Sequence, residues 1–275
     1  MSSETPEQLT PGRVIVVTSG KGGVGKTTTT ANIGMALAWM GKRVALVDAD
    51  IGLRNLDLVL GLENRIVYNS VDVVEGRARL KQALIKDKRT PNLAFLPAAQ
   101  TRDKSAITPD QMRGMIDEIK LEYDFVLIDC PAGIEQGFKN AIAGADEAII
   151  VTNPEVSSVR DADRVIGFLE TAAIATNRLI VNRVRPAMVK SKEMMSVDDV
   201  LDILGSSVKL LGVVPDDETI ITSTNRGEPA VLSKNGSKAG QAYLNVSRRL
   251  LGEDVPFMNL EAGNGLIDKL KSLFK

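Results

Sequence analysis

The feature that most constrains this chain is a glycine-rich turn that follows the apolar run 14–17 and precedes a helical pattern. The turn matches the phosphate-loop pattern G-x-x-x-x-G-K-[ST], in which glycines let successive backbone N–H groups surround an anion. The new helix directs the positive end of its dipole at the same point. We therefore predict a nucleotide site in which Lys26 reaches the β- and γ-phosphates and the Thr27 hydroxyl binds Mg²⁺. The predicted phosphate-binding residues are Gly20, Lys21, Gly22, Gly23, Val24, Gly25, Lys26, Thr27 and Thr28.

Two later strand patterns end in aspartates, which bears on the metal and the water that a bound nucleotide needs. Asp48 and Asp50 stand two residues apart at one strand end, so their side chains point the same way. We assign Asp50 to orienting the attacking water and Asp48 to the outer coordination shell of Mg²⁺. Asp129 ends another strand in the manner of a Walker-B carboxylate, which would hold Mg²⁺ through its water shell. Gly133 after it gives a switch segment freedom to move. Capping of the next helix or turn is the alternative role for these carboxylates.

Short runs rich in valine, isoleucine and leucine recur along the chain and alternate with helical patterns. Runs that are apolar throughout predict parallel strands buried on both faces of a sheet. The expected fold is therefore α/β, a mostly parallel twisted sheet with helices on both faces, and ligands should bind at the carboxyl ends of the strands. Trp39, in the first predicted helix, is expected to be a packing residue, and stacking on a ligand is the alternative. The predicted strands are 14–17, 44–48, 93–97, 125–129, 148–152, 179–182 and 210–214.

Composition excludes several kinds of chemistry. The chain has no histidine, so neither histidine acid–base catalysis nor histidine metal ligation is available. Its single cysteine, Cys130, can form no internal disulfide and no CxxC metal site, and we interpret it as a small buried hydrophobe. A net charge of −1 provides no general attraction to nucleic acid. No apolar run approaches the ~20 residues that span a bilayer. A cytoplasmic protein with one large domain fits these properties.

The string GKGGVGKTT resembles the deviant phosphate loop of the ParA/MinD family of P-loop ATPases. The strings DADIGLRNLD, DCPAGIE and NPEVSSVRDADR are similar to the MinD branch of that family in particular. The resemblance implies a SIMIBI-type P-loop fold that forms an ATP-dependent homodimer. In that family, two chains enclose two ATP molecules, and the lysine at the position of Lys21 reaches the nucleotide of the partner subunit. The phosphate-loop pattern does not itself require Lys21, and a surface lysine is the alternative on the residues alone.

The same resemblance implies roles for residues outside the phosphate loop. Asn55 would belong to the switch. Asn182, whose amide suits the edge of adenine, and Pro215 would contact the base, although turn formation is an alternative for both. The helix after residue 155 would face regulatory partners, while its mixed charge also suits a solvated helix face. The predicted partner-surface residues are Ser157, Asp161 and Asp163.

The last part of the sequence carries an amphipathic pattern. Apolar residues recur at i, i+1, i+4, i+7 and i+8 with lysines beside them, which predicts a helix that lies in an anionic membrane interface. The helix is too short to span a bilayer, and docking on the core is the alternative. We divide the chain into a flexible N-terminal tail (1–12), a P-loop ATPase domain (13–252), a linker (253–264) and an amphipathic membrane-targeting helix (265–275). The predicted membrane residues are Leu266, Ile267, Lys269, Leu270, Lys271, Leu273 and Phe274.

These residues and the resemblance together predict a slow ATP hydrolase that dimerises with ATP and binds reversibly to the inner face of the cell membrane. The resemblance implies that it positions the division site by recruiting a septum inhibitor of the MinC type, that a MinE-type partner stimulates hydrolysis, and that no specific nucleic acid is bound. One alternative is a ParA-like partition ATPase that binds DNA non-specifically as an ATP dimer, with steep salt dependence. Another is a non-hydrolysing scaffold gated by ATP.

Overall fold

The computed structural model describes residues 11–174, 176–233 and 236–260, and an eight-stranded sheet runs through them. The strands are β1 (Arg13–Thr18), β2 (Val44–Asp48), β3 (Ile85–Lys86), β4 (Leu93–Leu96), β5 (Phe125–Asp129), β6 (Glu147–Thr152), β7 (Thr176–Val184) and β8 (Lys209–Pro215). They lie in the order β3-β4-β2-β5-β1-β6-β7-β8, and the pairs are parallel except for β3–β4. The predicted α/β fold is confirmed.

Helices connect the strands and cover the sheet. One helix begins at Pro109 because the Thr108 hydroxyl accepts a hydrogen bond from the Gln111 N–H, while the Gln111 side chain accepts one from the Thr108 N–H. The helices are α1 (Lys26–Trp39), α2 (Leu56–Leu60), α3 (Ser70–Val74), α4 (Leu80–Ala83), α5 (Pro109–Ile119), α6 (Gln136–Ile142), α7 (Val156–Thr171), α8 (Pro186–Lys190), α9 (Val197–Leu204), α10 (Thr219–Asn225) and α11 (Lys238–Leu250).

The sheet is buried on both faces, as the apolar strand patterns predict. Successive residues of β1 alternate between two hydrophobic layers: Val14 packs in one and Ile15 in the other. The first layer contains side chains of α5, α7 and α9, and the second contains side chains of α1 and α11. Because the central strands are covered on both sides, their carboxyl ends form the edge at which polar side chains can meet a ligand.

The prediction for Trp39 is wrong. Its side chain is 59% exposed, although the helix before it is almost entirely buried. Trp39 is the last residue of α1, where the helix emerges from the second hydrophobic layer, and Gly41 follows with a φ of 83° and ends the helix in the left-handed conformation. The indole therefore lies on the surface beyond the packed part of the helix.

Residues 253–260, the first part of the predicted linker, contact the domain. The guanidinium of Arg249 donates hydrogen bonds to the carbonyls of Val255 (2.8 Å) and Leu211 (2.9 Å), and it lies 4.2 Å from the centre of the Phe257 ring. Leu260 packs against the first hydrophobic layer. This part of the chain is therefore held beside β8, the strand at one edge of the sheet.

Several predicted segments lie outside the described residues. Residues 1–10 of the predicted tail, 261–264 of the predicted linker and the predicted membrane helix 265–275 belong to them. None of the helices in the described ranges is both long and apolar enough to cross a lipid bilayer.

Candidate nucleotide site

The glycine-rich turn joins β1 to α1 at the carboxyl edge of the sheet. Two of its glycines are required sterically. A β-carbon on Gly20 would lie 2.2 Å from the carbonyl oxygen of Asp161, and one on Gly25 would lie 2.4 Å from the Asn182 amide nitrogen. Gly25 also has a φ of 102°, in the left-handed region. The loop is therefore packed between α7 and the end of β7, with its backbone close to both.

Lys26 is tied to the loop from which it arises. Its side chain is buried, and Nζ donates a hydrogen bond to the Ser19 hydroxyl at 3.0 Å. Ser19 Oγ donates in turn to the carbonyl oxygen of Lys21 at 2.7 Å. The ammonium charge is thus fixed beside the loop backbone. A bound phosphate would offer it a charged acceptor, which makes a stronger hydrogen bond than a hydroxyl.

Two buried aspartates end neighbouring strands beside the loop. Asp48 and Asp129 are register partners in the β2–β5 ladder. Burial raises the pKa of Asp129 to about 6, and a hydrogen bond from the Thr27 side chain opposes that rise. Burial and then the charge of Asp129 raise the pKa of Asp48 well above its usual range. Thr27 and Asp129, predicted as magnesium ligands from distant parts of the sequence, are therefore in contact.

Asp48 also anchors the segment that carries the predicted water-orienting residue. Its carboxylate accepts hydrogen bonds from the N–H groups of Asp50 (2.9 Å) and Leu56 (3.4 Å). These two bonds fix both ends of the loop 50–56. Asn55 is exposed in this loop, and its side chain does not cap α2. Gly133, the other predicted switch position, is half-buried with a φ of 88° and has open space where a side chain would project.

Lys21 and the predicted partner surface lie together. Lys21 is exposed, and its Nζ lies 3.2 Å from Ser157 Oγ and 3.7 Å from a carboxylate oxygen of Glu155. Asp163 is exposed on α7, as the partner-surface prediction requires. Asp161 differs, because it is half-buried with its backbone against Gly20. The first turns of α7 therefore contact the phosphate loop directly.

A cavity of about 410 Å³ opens beside the loop, where β7 and β8 end. Asn182 and Pro215, the predicted base contacts, both line it, and so does Thr28. The Asn182 amide donates a hydrogen bond to the carbonyl oxygen of Val24 at 2.8 Å. One side chain thus joins the wall of the cavity to the phosphate loop. The volume is in the range of small-molecule sites, and the position beside the loop suits the base of a nucleotide.

The cavity also contains residues that were not predicted from the sequence. Arg183 lines it with a φ of 56°, an uncommon backbone conformation for a residue with a side chain. Arg185 pairs with Asp216 at 2.6 Å across the ends of β7 and β8. Tyr243, from α11, shares a 3.2 Å hydrogen bond with Thr29 and also lines the cavity. Asp216 and Asp217 follow the strand pattern 210–214 after Pro215, and two carboxylates at a strand end could have indicated this part of the cavity. No local sequence pattern indicates that Tyr243 lines it.

The side chains present fit a magnesium ion that is bound together with phosphate. The described residues contain no group of three or more acidic or cysteine side chains that could hold a metal ion by themselves. Thr27 and Asp129 supply one hydroxyl and one carboxylate in contact with each other. Mg²⁺ characteristically takes one or two protein oxygens and completes its octahedron with phosphate oxygens and water. This donor set therefore suits a metal that arrives with a nucleotide.

Comparison with known proteins agrees with this geometry. The family described as the CobQ/CobB/MinD/ParA nucleotide binding domain matches residues 15–230. The septum site-determining protein MinD of Synechocystis sp. is 57% identical over 260 residues, which cover 94% of this chain and 97% of that protein. The MinD of Bacillus subtilis is 57% identical over 266 residues, which cover 96% of this chain and 98% of that protein.

Solved structures give the same result. The MinD of a MinC:MinD cell division protein complex from Aquifex aeolicus matches with a TM-score of 0.83 and 52% identity, over 90% of this chain and 99% of that chain. MinD of Pyrococcus horikoshii, solved with Mg-ADP, matches with a TM-score of 0.79 and 35% identity, over 88% of this chain and 99% of that chain. The chain therefore belongs to the ParA/MinD family of nucleotide-binding proteins, and within that family it is similar to the septum site-determining MinD proteins.

Proposed function

We propose that this protein is an ATP hydrolase that dimerises when it binds ATP and acts from the membrane surface to position the cell-division site. The observation that carries the proposal is the contact between Thr27 and Asp129 beside the buried Lys26. These are the groups that phosphoryl transfer uses to hold a metal-bound nucleotide. The Mg-ADP bound by the Pyrococcus relative supports ATP and Mg²⁺ as the cofactors.

Each site residue has a role in this proposal. Lys26 binds the β- and γ-phosphates, while Thr27 and Asp129 hold Mg²⁺ with Asp48 in the outer shell. When bound, the metal supplies positive charge to the phosphates. Asp50, on the loop that Asp48 anchors, orients the attacking water. The base occupies the cavity beside the loop and is contacted by the residues at the ends of β7 and β8, which are Asn182 and Pro215.

Membrane binding is proposed to depend on how many copies of the C-terminal segment 265–275, called the tail from here on, act together. A helix as short as 265–275 is marginal in water, so its folding cost offsets much of the gain from burying its apolar side chains. One tail therefore binds weakly and reversibly. Two tails on an ATP dimer bind with avidity, ~10²–10⁴-fold tighter. Lys21 makes the dimer sensitive to ATP by reaching the nucleotide of the partner subunit, and hydrolysis then returns the protein to the cytoplasm.

The partners follow from the relatives. The Aquifex relative was solved as a MinC:MinD complex, which supports a MinC-type inhibitor as the protein recruited to the membrane. The proposed contact surface for such partners is the first half of α7, with Ser157 and Asp163 exposed and Asp161 half-buried. A MinE-type partner that stimulates the otherwise slow hydrolysis completes the cycle.

Vesicle binding tests the proposal. The intact chain and a chain ending at Ala262 are co-sedimented with anionic vesicles, each with ATP and with ADP. We expect the intact chain to bind at least ~10-fold better with ATP than with ADP, in keeping with two-tail avidity, and the shortened chain to bind with neither. Leu270→Asp should abolish binding, whereas Asp268→Asn, a change on the polar face, should not. Equal binding of the intact and shortened chains would overturn the proposal.

DNA binding is the alternative that the same assay separates. A ParA-like dimer would co-sediment with DNA in the presence of ATP and lose that binding steeply with salt, because counterions are released from the phosphates. Structures of ParA-type proteins share this fold at low identity, for example one from Chlorobium tepidum at 22% identity and a TM-score of 0.74. Binding to DNA but not to vesicles would favour this alternative.

A further inference from the structure

An apolar groove of about 310 Å³ lies beside β8. It is on the face of the sheet that carries the first hydrophobic layer, whereas α11 covers the other face. Its walls come from the end of β7, from α8, from α9, from β8 and from the segment 257–260. Apart from Asn259, the residues that line it are apolar. The lining residues used below are Val184, Val189, Val197, Val213, Phe257 and Leu260.

The groove is formed and accessible. Val189, Val197 and Val213 are each half-buried and pack against the first hydrophobic layer, so they form its floor and walls. Phe257 is 47% exposed at its rim. The segment that carries this ring is fixed by Arg249, which donates to the carbonyl oxygens of Val255 and Pro256. The rim is therefore held in place by hydrogen bonds from the domain.

The chain leaves the described region at this groove. Leu260 lines the groove, and the amphipathic pattern begins five residues later, at Gly265. Four intervening residues span at most ~14 Å, and the pattern 265–275 would form a helix about 16 Å long. A segment tethered this closely has an effective concentration in the ~mM range at the groove. The groove is therefore an apolar surface within short reach of this segment.

Charge at the groove also complements that segment. Asp198 and Asp202 are exposed one helical turn apart on α9, the helix that contributes Val197 to the wall. The segment 265–275 carries lysines beside its apolar stripe. Lys190 is exposed on α8 and the Arg249 guanidinium lies against the Phe257 ring, so the complementarity is confined to α9. A segment seated with its apolar stripe in the groove would bring its lysines close to the acidic residues of α9.

We propose that in the monomeric, ADP-bound protein this groove holds the apolar face of residues 265–275, so that the tail proposed to bind the membrane is sequestered on its own domain. The inference deepens the proposed function and rests on it for the role of the tail. A membrane must then compete with a tethered internal site. One tail competes poorly, whereas the two tails of a dimer gain ~10²–10⁴-fold from avidity and bind the membrane instead.

Disulfide trapping in the full-length chain tests the docking directly. In a Cys130→Ala background, Val189→Cys is combined with Leu270→Cys. With ADP bound, a mild thiol oxidant is added to accept the two electrons, and the rate of disulfide formation is measured. The matched control pairs Leu270→Cys with Ile203→Cys, because Ile203 is 49% exposed on α9 but does not line the groove. We expect the groove pair to form at least tenfold faster, although its cysteine is less exposed. Anionic vesicles with ATP should reduce that rate to the control rate. Equal rates for the two pairs with ADP would overturn the inference.

Vesicle binding by groove variants gives a second readout. Val189→Asp should raise ADP-state binding to anionic vesicles about fivefold to tenfold, while Ile203→Asp should leave it unchanged; unchanged binding by both variants would contradict the docking. The two proposals fail separately. If the groove pair forms fast but the intact chain binds vesicles with neither nucleotide, the docking stands and the membrane function fails. If ATP-dependent vesicle binding is seen but the two pairs form at equal rates, the function stands and the docking fails.

Discussion

The Lys21 ammonium group lies 3.2 Å from the hydroxyl of Ser157, which places the lysine of the phosphate loop on the first turn of α7. Glu155 adds an ion pair at 3.7 Å. The residue proposed to reach a partner subunit is therefore held, within one chain, by the helix proposed to receive regulatory partners. To reach the partner's nucleotide, Lys21 must exchange these two contacts for a phosphate.

The first prediction concerns this exchange. Lys21→Ala should abolish ATP-dependent dimerisation, measured by light scattering on a size-exclusion column, without changing thermal stability. Glu155→Gln should instead favour the dimer, but by no more than about fivefold in its dissociation constant, because an ion pair between exposed groups contributes about 0–1 kcal/mol. Ser157→Ala, which removes the hydrogen bond to Lys21 but keeps the ion pair with Glu155, is compared with Glu155→Gln. ATP-dependent dimers of Lys21→Ala would contradict the proposed role of this lysine.

The strands and the phosphate loop were predictable because their signals are local. Each central strand is an uninterrupted apolar run, and the loop is a short motif between such a run and a helix. β3 (Ile85–Lys86) was missed because two residues are too few to make a pattern. Trp39 was misplaced because helical periodicity indicates which face is buried but not where the helix emerges from the core.

The parts of the site that escaped prediction depend on contacts between distant segments. Tyr243 reaches the base cavity from α11, and no local pattern marks a tyrosine inside a helix as part of a cavity wall. Asp161 was expected on the outer face of α7, yet its backbone packs on Gly20 because α7 crosses the start of the phosphate loop. Both contacts join residues that are more than 100 positions apart, so no local pattern in the sequence can indicate them.

The second prediction separates an ATPase from a scaffold. Asp50→Ala should lower phosphate release by about 10²–10⁴-fold, the usual contribution of a group that orients or deprotonates the nucleophile. ATP binding should change little, because Lys26 and Thr27 remain. Asp110→Ala, whose side chain is 94% exposed on α5, is the control for loss of an acidic residue. Equal and negligible phosphate release from the intact chain and Asp50→Ala would favour the ATP-gated scaffold.

The third prediction is a pH dependence of stability without nucleotide or Mg²⁺. Burial raises the pKa of Asp129 from its usual 3.8 to about 6, so between these values the folded protein keeps a proton that the unfolded chain has lost. The free energy of unfolding should therefore fall as the pH rises through this window, by on the order of 2–3 kcal/mol. Urea unfolding at pH 4 and pH 7 measures the fall. Asp129→Asn should reduce it, and an unchanged fall in that variant would contradict this assignment.

The fourth prediction concerns a buried ion pair that ties three segments together. The Arg89 guanidinium pairs with the carboxylate of Asp87, whose side chain is 1% exposed, and it also donates to the carbonyl oxygens of Leu60 (2.6 Å) and Gly227 (2.9 Å). Arg89→Ala leaves that carboxylate buried without its counter-ion and removes both carbonyl contacts. Because Arg89 itself is 29% exposed, we expect a loss of about 2–3 kcal/mol, somewhat below that for a fully buried pair.

Urea unfolding of two neighbouring variants checks this cost. Lys88→Ala removes an exposed cation next to Arg89 and should change the free energy of unfolding by less than about 0.5 kcal/mol. The double variant Asp87→Asn/Arg89→Ala should recover part of the loss, because the carboxylate that Arg89→Ala leaves uncompensated is then replaced by a neutral amide. If Arg89→Ala and Lys88→Ala unfold at the same urea concentration, the pair does not hold these segments together, and the contacts to Leu60 and Gly227 carry no net stability.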